Sequence, residues 1–188
     1  MASLQNRSAD EMIRRFESGH RAYVAWRGDE PAAWGWVATS SAQIGELDST
    51  FTVPAAQRYL WNFVTRPAHR GQGIYPRLLE EIVMAEGSEA ERFWVAYAPE
   101  NHASGAGIRK AGFVDLAALS FDAHGRPAVR DIVEGGGRLA AQFLRIPAVH
   151  DVLAQCWRCA KNAAPRISSC HVGPCGCDYQ RAEVGCAH

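Results

Sequence analysis

The residues best suited to chemistry lie in the run Trp61-Asn62-Phe63-Val64-Thr65-Arg66-Pro67-Ala68-His69-Arg70-Gly71-Gln72-Gly73-Ile74-Tyr75. The run reads as a strand, a glycine-containing loop and the first turn of a helix. Amides in the first turn of a helix have no partner within it, and the helix dipole is positive there. Glycine lets the backbone approach an anion closely. Pro76 suits this turn, where its missing N–H is not needed. The loop is therefore a ready cradle for a pyrophosphate. Its spacing is neither that of a Walker loop, since no Gly-Lys-Ser/Thr follows, nor a dinucleotide fingerprint, since the third glycine is missing. Residue chemistry alone leaves two readings: a site for a phosphorylated ligand, or a glycine-containing connection that binds nothing.

The second unusual group is cysteine. Cys156, Cys159, Cys170, Cys175, Cys177 and Cys186 all lie in the last part of the chain, and the rest has none. Cys156-x-x-Cys159 has metal-ligand spacing, and His171 and His188 add ligand types nearby. The spacing fits no standard zinc ribbon, because Cys175-Gly176-Cys177 is tight. Cys156 also falls on an apolar helical face, where a thiol acts as core. The readings are a structural zinc site drawn from these six cysteines, a disulfide or redox switch, or plain thiols.

The elements that must position the loop follow from pattern. Ser8 and Glu11 frame a helix start, and Met12, Ile13 and Phe16 give it an apolar face that ends at Gly19. Strands are expected over 21–26 and 33–39, with a turn at Gly28-Asp29 and Pro31, and over 58–65, 92–98, 114–121 and 128–133. The stretch 43–53 is β-compatible but less clear. Tyr75, Leu78, Leu79, Ile82 and Val83 fall on one helical face, and a further helix suits 101–111. The order predicts an α/β (α+β) fold, with a mixed sheet flanked by helices. Gly135-Gly136-Gly137 reads as a flexible break. It divides the chain into a domain over 1–134 and a C-terminal helix and cysteine-rich tail over 135–188. The apolar spacing of Val149, Val152, Leu153, Cys156, Trp157 and Ala160 predicts that this helix starts near Pro147.

Val64 to Leu79 (VTRPAHRGQGIYPRLL) resembles the acyl-CoA-binding motif of the GNAT superfamily, Q/R-x-x-G-x-G/A. Arg70 matches the first position and Gly73 the first glycine, and Tyr75 stands where glycine or alanine is usual. Asn101-His102-Ala103-Ser104 and Lys110-Ala111-Gly112-Phe113 resemble the family's second segment, N-x-x-[AS] followed by K-x-G-F. Two motifs in order are far more specific than either alone. The resemblance covers roughly residues 20 to 122. It implies a mostly antiparallel GNAT-type sheet and an acetyltransferase that uses acetyl-CoA as co-substrate and an amine as acceptor. It further implies that the amides from Arg70 through Gly71, Gln72, Gly73 and Ile74 to Tyr75 hold the pyrophosphate. Phe63, Val64 and Thr65 would pair with the pantetheine arm, and Asn101 and Ser104 would lie near the pantetheine and the sulfur. An edge of unpaired amides and carbonyls suits an extended amide ligand.

The family pattern breaks at two points. Many members carry a tyrosine seven residues after the asparagine as general acid, and here that position is Ile108. Ser104, Tyr75 or water are the candidates to protonate the leaving thiolate. Strand 58–65 also carries no carboxylate to serve as base. Glu46, flanked by apolar residues, is the first candidate, with a pKa raised by partial burial; Asp48, Glu100 and His102 stand behind it. The alternative is that Glu46 is an ordinary surface acid. Trp26, Trp34, Trp36, Trp61 and Trp94 are expected in the core, Trp61 being nearest the cofactor strand, and His69 is expected to face solvent.

Lys+Arg and Asp+Glu both number 20, so charge gives no reason to expect nucleic acid or an anionic membrane as partner. The first residues lack an apolar signal core and no apolar run is long enough to span a bilayer. A cytoplasmic monomer or homodimer is the default expectation. Beside the transferase stand two other readings: a non-catalytic acyl-CoA-binding sensor, and a metal- or thiol-responsive protein controlled by the tail.

Overall fold

Ser8 opens the first helix, α1 (Ala9–Glu17), by accepting a hydrogen bond from the Glu11 amide at 3.2 Å. This satisfies an amide that the helix itself leaves unpaired. The structure, a computed structural model, describes residues 7–151 and 153–162, without the side chains of Lys161 and Asn162. After α1 come β1 (Arg21–Arg27), β2 (Glu30–Ala38), β3 (Ser41–Ile44), β4 (Ser49–Thr52) and β5 (Gln57–Thr65). Then follow α2 (Ile74–Glu86), β6 (Arg92–Val95), α3 (His102–Lys110), β7 (Ala117–Phe121), β8 (Pro127–Asp131), α4 (Gly136–Leu144) and α5 (Trp157–Asn162).

The main sheet has the order β1-β2-β5-β6, antiparallel except for the parallel pair β5–β6; β3–β4 and β7–β8 are separate antiparallel hairpins. This is the mixed, mostly antiparallel α/β architecture expected from the sequence. The less clear stretch 43–53 resolves into the β3–β4 hairpin, whose strands are joined by a 3-10 turn at Gly45–Leu47 and by Asp48 in the left-handed region.

Two apolar layers cover the main sheet. Leu78, Leu79 and Ile82 of α2 and Ile108 of α3 pack with Val37 and Leu60. Tyr59, Phe51, Phe143, Leu144 and Trp157 form a second cluster, which includes α4. The glycine run does not interrupt the chain: Gly135 takes φ 74 as the cap of α4, and Gly136 and Gly137 are buried. A Cβ on Gly136 would come 2.1 Å from the Leu116 carbonyl oxygen, so close packing accounts for the missing side chain.

The helix expected from Pro147 begins only at Trp157. Val149 and Pro147 instead exchange backbone hydrogen bonds with Val129. Their apolar spacing serves an extended segment. Trp26 is also an exception to the expected tryptophan core, being 63% exposed near the end of the β1–β2 hairpin. Trp34 and Trp36 are buried, and Trp94 stacks on Phe143 with ring centroids 4.4 Å apart. Among the described residues no helix is long and apolar enough to cross a membrane.

One polar group ties the α2 side together. Glu86 is fully buried, yet its carboxylate accepts from Tyr23 Oη at 2.5 Å, Arg21 Nη1 at 2.8 Å and Arg58 Nε at 2.7 Å. Burial pushes its pKa up, but the bonds from Tyr23, Arg58 and Arg21 prevail and hold it below the ordinary carboxylate value.

Candidate active site

β5 and the edge strand β6 part company. β5 pairs with β6 only from Gln57 to Leu60, against Arg92 to Val95. On its other edge β5 stays with β2 as far as Thr65. Among the described residues, no strand pairs with the β6-side edge of Trp61–Thr65. A gap therefore opens between β5 and the chain leading into α3, lined on one side by backbone groups free to meet an extended ligand.

A β-bulge shapes that edge. Trp36 pairs with Trp61 and Trp34 with Val64, so Asn62 and Phe63 together oppose Gly35. Asn62 takes φ 53, a left-handed conformation that asparagine tolerates better than most residues. The extra residue turns the following side chains over. Trp61 packs against the Tyr59 cluster, whereas Phe63 packs with Leu60 on the α2 side. Gly35 permits this, because a Cβ there would lie 2.2 Å from the Phe63 ring. Residue type alone did not single out Asn62 or Gly35. The usable signal was a glycine inside a strand pattern, which marks a bulge or a close approach.

The cradle lies just beyond Thr65. Gly71 and Gly73 take φ 72 and 74, and a Cβ on either would meet nothing within 4 Å. Gly73 caps α2 in the left-handed region, and its carbonyl accepts the Arg77 amide at 3.3 Å. Among the described residues, the amides of Gly71, Gln72 and Gly73 donate to no backbone group. Those of Ile74 and Tyr75 begin the helix and have no partner within it. The Arg70 amide differs from its neighbours: it donates to the Pro67 carbonyl at 3.2 Å, while its Nε donates to the Thr65 carbonyl. Arg70 thus braces the loop against the strand. Gln72 does similar work, donating to the Ala68 carbonyl at 3.0 Å and accepting from Arg27. His69 does not face solvent as expected; its side chain is 14% exposed, with Nε2 3.8 Å from Glu30.

Tyr75 fills space that a smaller residue would leave open. Its ring lies 5.5 Å from that of Phe63, and a Cβ on Gly107 of α3 would come 2.5 Å from it. The large side chain on α2 is matched by a missing one on α3. Its hydroxyl lies 3.4 Å from Ser104 Oγ. Asn101 caps α3 by accepting the Ser104 amide at 3.1 Å, so both expected residues stand at the α3 end of the gap. An Asn101→Ala variant is expected to lose about 0.5–2 kcal/mol of stability in chemical denaturation; an unchanged midpoint would remove Asn101 from the capping role.

Of the expected acids and bases, Glu46 sits half-buried in the turn between β3 and β4, where its charge acts on Tyr59 of β5. Glu100 is committed elsewhere: its two oxygens accept the amides of Trp157 at 3.0 Å and Arg158 at 3.4 Å, capping α5. Asp48 and His102 are exposed. Ile108 is 3% exposed in the α2–α3 core.

Trp61 is covered from α1. The Arg15 guanidinium lies 4.5 Å over its ring, and its Nε1–H donates to His20 Nδ1 at 3.2 Å. Burial, and then the charge of Arg15, hold the His20 pKa below its usual value. The neutral ring accepts at Nδ1, so its proton sits on Nε2 and it cannot also act as a base there. The linked stability is full above the free histidine pKa of about 6.5 and falls as pH drops through the lower folded value. Thermal melts from neutral to mildly acidic pH are expected to show this loss, and His20→Gln should flatten it; an identical slope in the variant would refute the assignment.

In the tail, Cys156 is 1% exposed and its Sγ accepts the Cys159 amide at 3.3 Å. It therefore serves as core and helix cap. Cys170, Cys175, Cys177 and Cys186 lie outside the described residues. Among the described residues no group of three or more His, Cys, Asp or Glu side chains is placed to hold a metal.

A sequence model of the Acetyltransferase (GNAT) family matches residues 3–113. A comparison with curated proteins gives no match. Among solved structures, an acetyltransferase from Bacillus subtilis in complex with CoA is similar at 18% identity and a TM-score of 0.47, over 61% of this chain and 66% of that one. The present chain thus spans just under two thirds of that protein. AAC(6')-Iy, in complex with a bisubstrate analog, is similar at 15% identity and a TM-score of 0.47, over 61% of this chain and 79% of that one. The family match takes in more than half the chain, including both the cradle and the segment from Asn101 to Phe113, and the chain belongs to the GNAT acetyltransferase family.

Proposed function

We propose that this protein transfers an acetyl group from acetyl-CoA to an amine by direct attack. The observation that carries the reading is the continuity of two backbone surfaces: the edge of Trp61–Thr65 that no described strand pairs, where Arg70 takes the Thr65 carbonyl, and the Gly71–Gly73 amides, which among the described residues donate to no backbone group. The first suits the amides of a pantetheine arm and the second its pyrophosphate. Acetyl-CoA laid along both would place its thioester in the gap beside the Asn62 bulge.

The chain's own residues would then do three things. The β5 edge fixes the thioester so that an amine meets it at attacking distance, which supplies much of the rate. A backbone amide near Val64 polarises the carbonyl oxygen. Glu46 takes a proton from the amine, which is mostly ammonium near neutral pH. Tyr59 packs in the cluster that includes α4, and Tyr75 and Phe63 pack in the one that includes α2. Buried Ile108 favours a second reading, an acyl-CoA-binding protein that does not turn over.

Incubation with acetyl-CoA and a panel of amines separates the two. Amine-dependent thiol release, with an acetylated product by mass, supports the transferase. Saturable binding without release throughout the panel supports the sensor. The same assay with Glu46→Gln tests the base: an unchanged pH dependence removes Glu46 from that role.

A further inference from the structure

When a thioester yields to an amine, the C–N bond forms from the nitrogen lone pair and the C–S pair moves onto sulfur. Negative charge on that sulfur needs a donor, and the geometry narrows the choice. Ile108 has no polar side-chain atom and is buried. The Tyr97 ring packs under Gly105 of α3, but its hydroxyl donates to Asp115 at 3.2 Å and accepts from Arg109 at 3.1 Å.

Tyr75 is differently placed. It starts from the cradle, packs on Phe63 of the free β5 edge, and reaches across to α3 over Gly107. Its hydroxyl lies 3.4 Å from Ser104 Oγ, one helical turn beyond Asn101. The hydroxyl thus stands in the gap, between the strand that would hold the pantetheine and the helix that closes the other side.

We propose that the Tyr75 hydroxyl donates a hydrogen bond to the thioester sulfur and stabilises the departing thiolate. The inference rests on the acyltransferase reading above and makes Tyr75 a catalytic residue of that reaction. Burial pushes the Tyr75 pKa up to about 12, with the Ser104 bond acting in the opposite direction. A thiol ionises near pH 8.5, at about the value of free cysteine. The proton therefore stays on the phenol oxygen, and the step is hydrogen bonding rather than proton transfer. The proton released by the amine leaves through the base to solvent, and solvent protonates the thiolate. A hydrogen bond to an ionised acceptor is about twice as strong as a neutral one, so it is stronger after C–S cleavage than before. That difference is what accelerates a step.

CoA with its free thiol is the probe, so no acceptor is required. Thiolate ultraviolet absorbance against pH gives the pKa of the bound thiol, and calorimetry gives affinity. Tyr75→Phe keeps the ring contacts and is expected to hold CoA affinity within about threefold while raising the bound thiol pKa by about one unit. Gly107→Ala, which pushes the ring aside without removing the hydroxyl, should raise it as well. A purely structural role for Tyr75 would alter affinity and leave the thiol pKa alone. An unchanged thiol pKa in folded Tyr75→Phe, or in Gly107→Ala should the first variant not fold, overturns the proposal. Failure of the wild-type protein to bind CoA overturns the acyltransferase reading itself, and this inference falls with it.

Discussion

Gly73→Val is expected to weaken acetyl-CoA binding by about 100-fold, or about 2.8 kcal/mol, without unfolding the chain. Packing does not forbid the substitution, since a Cβ at Gly73 would meet nothing within 4 Å. Backbone conformation does: φ is 74, and a β-branched residue is a true outlier there. Holding such a residue in that region costs on the order of 1–3 kcal/mol. The loop escapes the strain by leaving the left-handed conformation seen at Gly73, and binding must then restore it. Valine also brings two methyl groups close to the Gly71–Gly73 amides. Gly73→Ala, with less strain and bulk, should fall between valine and wild type. Wild-type affinity in a folded Gly73→Val protein would mean that CoA binds elsewhere.

The second large effect concerns stability. Glu86→Ala is expected to cost about 3–5 kcal/mol, because removing one member of a buried ion group leaves the others uncompensated. Arg58 is 3% exposed and, among the described residues, would keep only Glu89 as an acidic partner, at 3.0 Å. Tyr23 would lose the acceptor of its 2.5 Å bond. The network joins β1, β5 and the end of α2, so the loss should spread through the layer that carries the cradle. Its pH dependence has a definite sign. A carboxyl whose folded pKa is depressed contributes fully above its unfolded value, about 4.3 for glutamate, and loses that contribution as pH falls through the folded one. Wild type should therefore lose stability on acidification through the carboxylate range, and Glu86→Ala should lose less of it. Denaturant midpoints at neutral and acidic pH check both statements; a small change at neutral pH would show the group to be dispensable.

These effects separate what could be read from the sequence from what could not. The glycine loop and the helix start after it were legible because Gly71, Gly73 and Pro76 each have a local backbone reason for their place. The helix over 101–111 was legible as well, beginning at His102 after Asn101. The bulge at Asn62 was not, because it arises from pairing between distant strands. Strict alternation would have put Phe63 on the Trp61 face, when it lies with Leu60 on the other. Tyr75 reads as a departure from the family pattern until Gly107 is seen opposite it. Glu100 looked available as a base, and its commitment to α5 depends on a contact 57 residues along the chain. Pro147 to Val149 show the reverse error: apolar spacing fitted a helix, but the backbone pairs with Val129. Local chemistry was readable wherever one segment determined it, and unreadable where two segments had to meet.

The most direct measurement is a calorimetric titration of the wild-type protein with acetyl-CoA, repeated with ADP as competitor. The expected result is saturable binding that ADP displaces, because the proposed site would hold the pyrophosphate end at Gly71–Gly73. A folded protein that takes up no acetyl-CoA would contradict the assignment of the gap and cradle as a cofactor site.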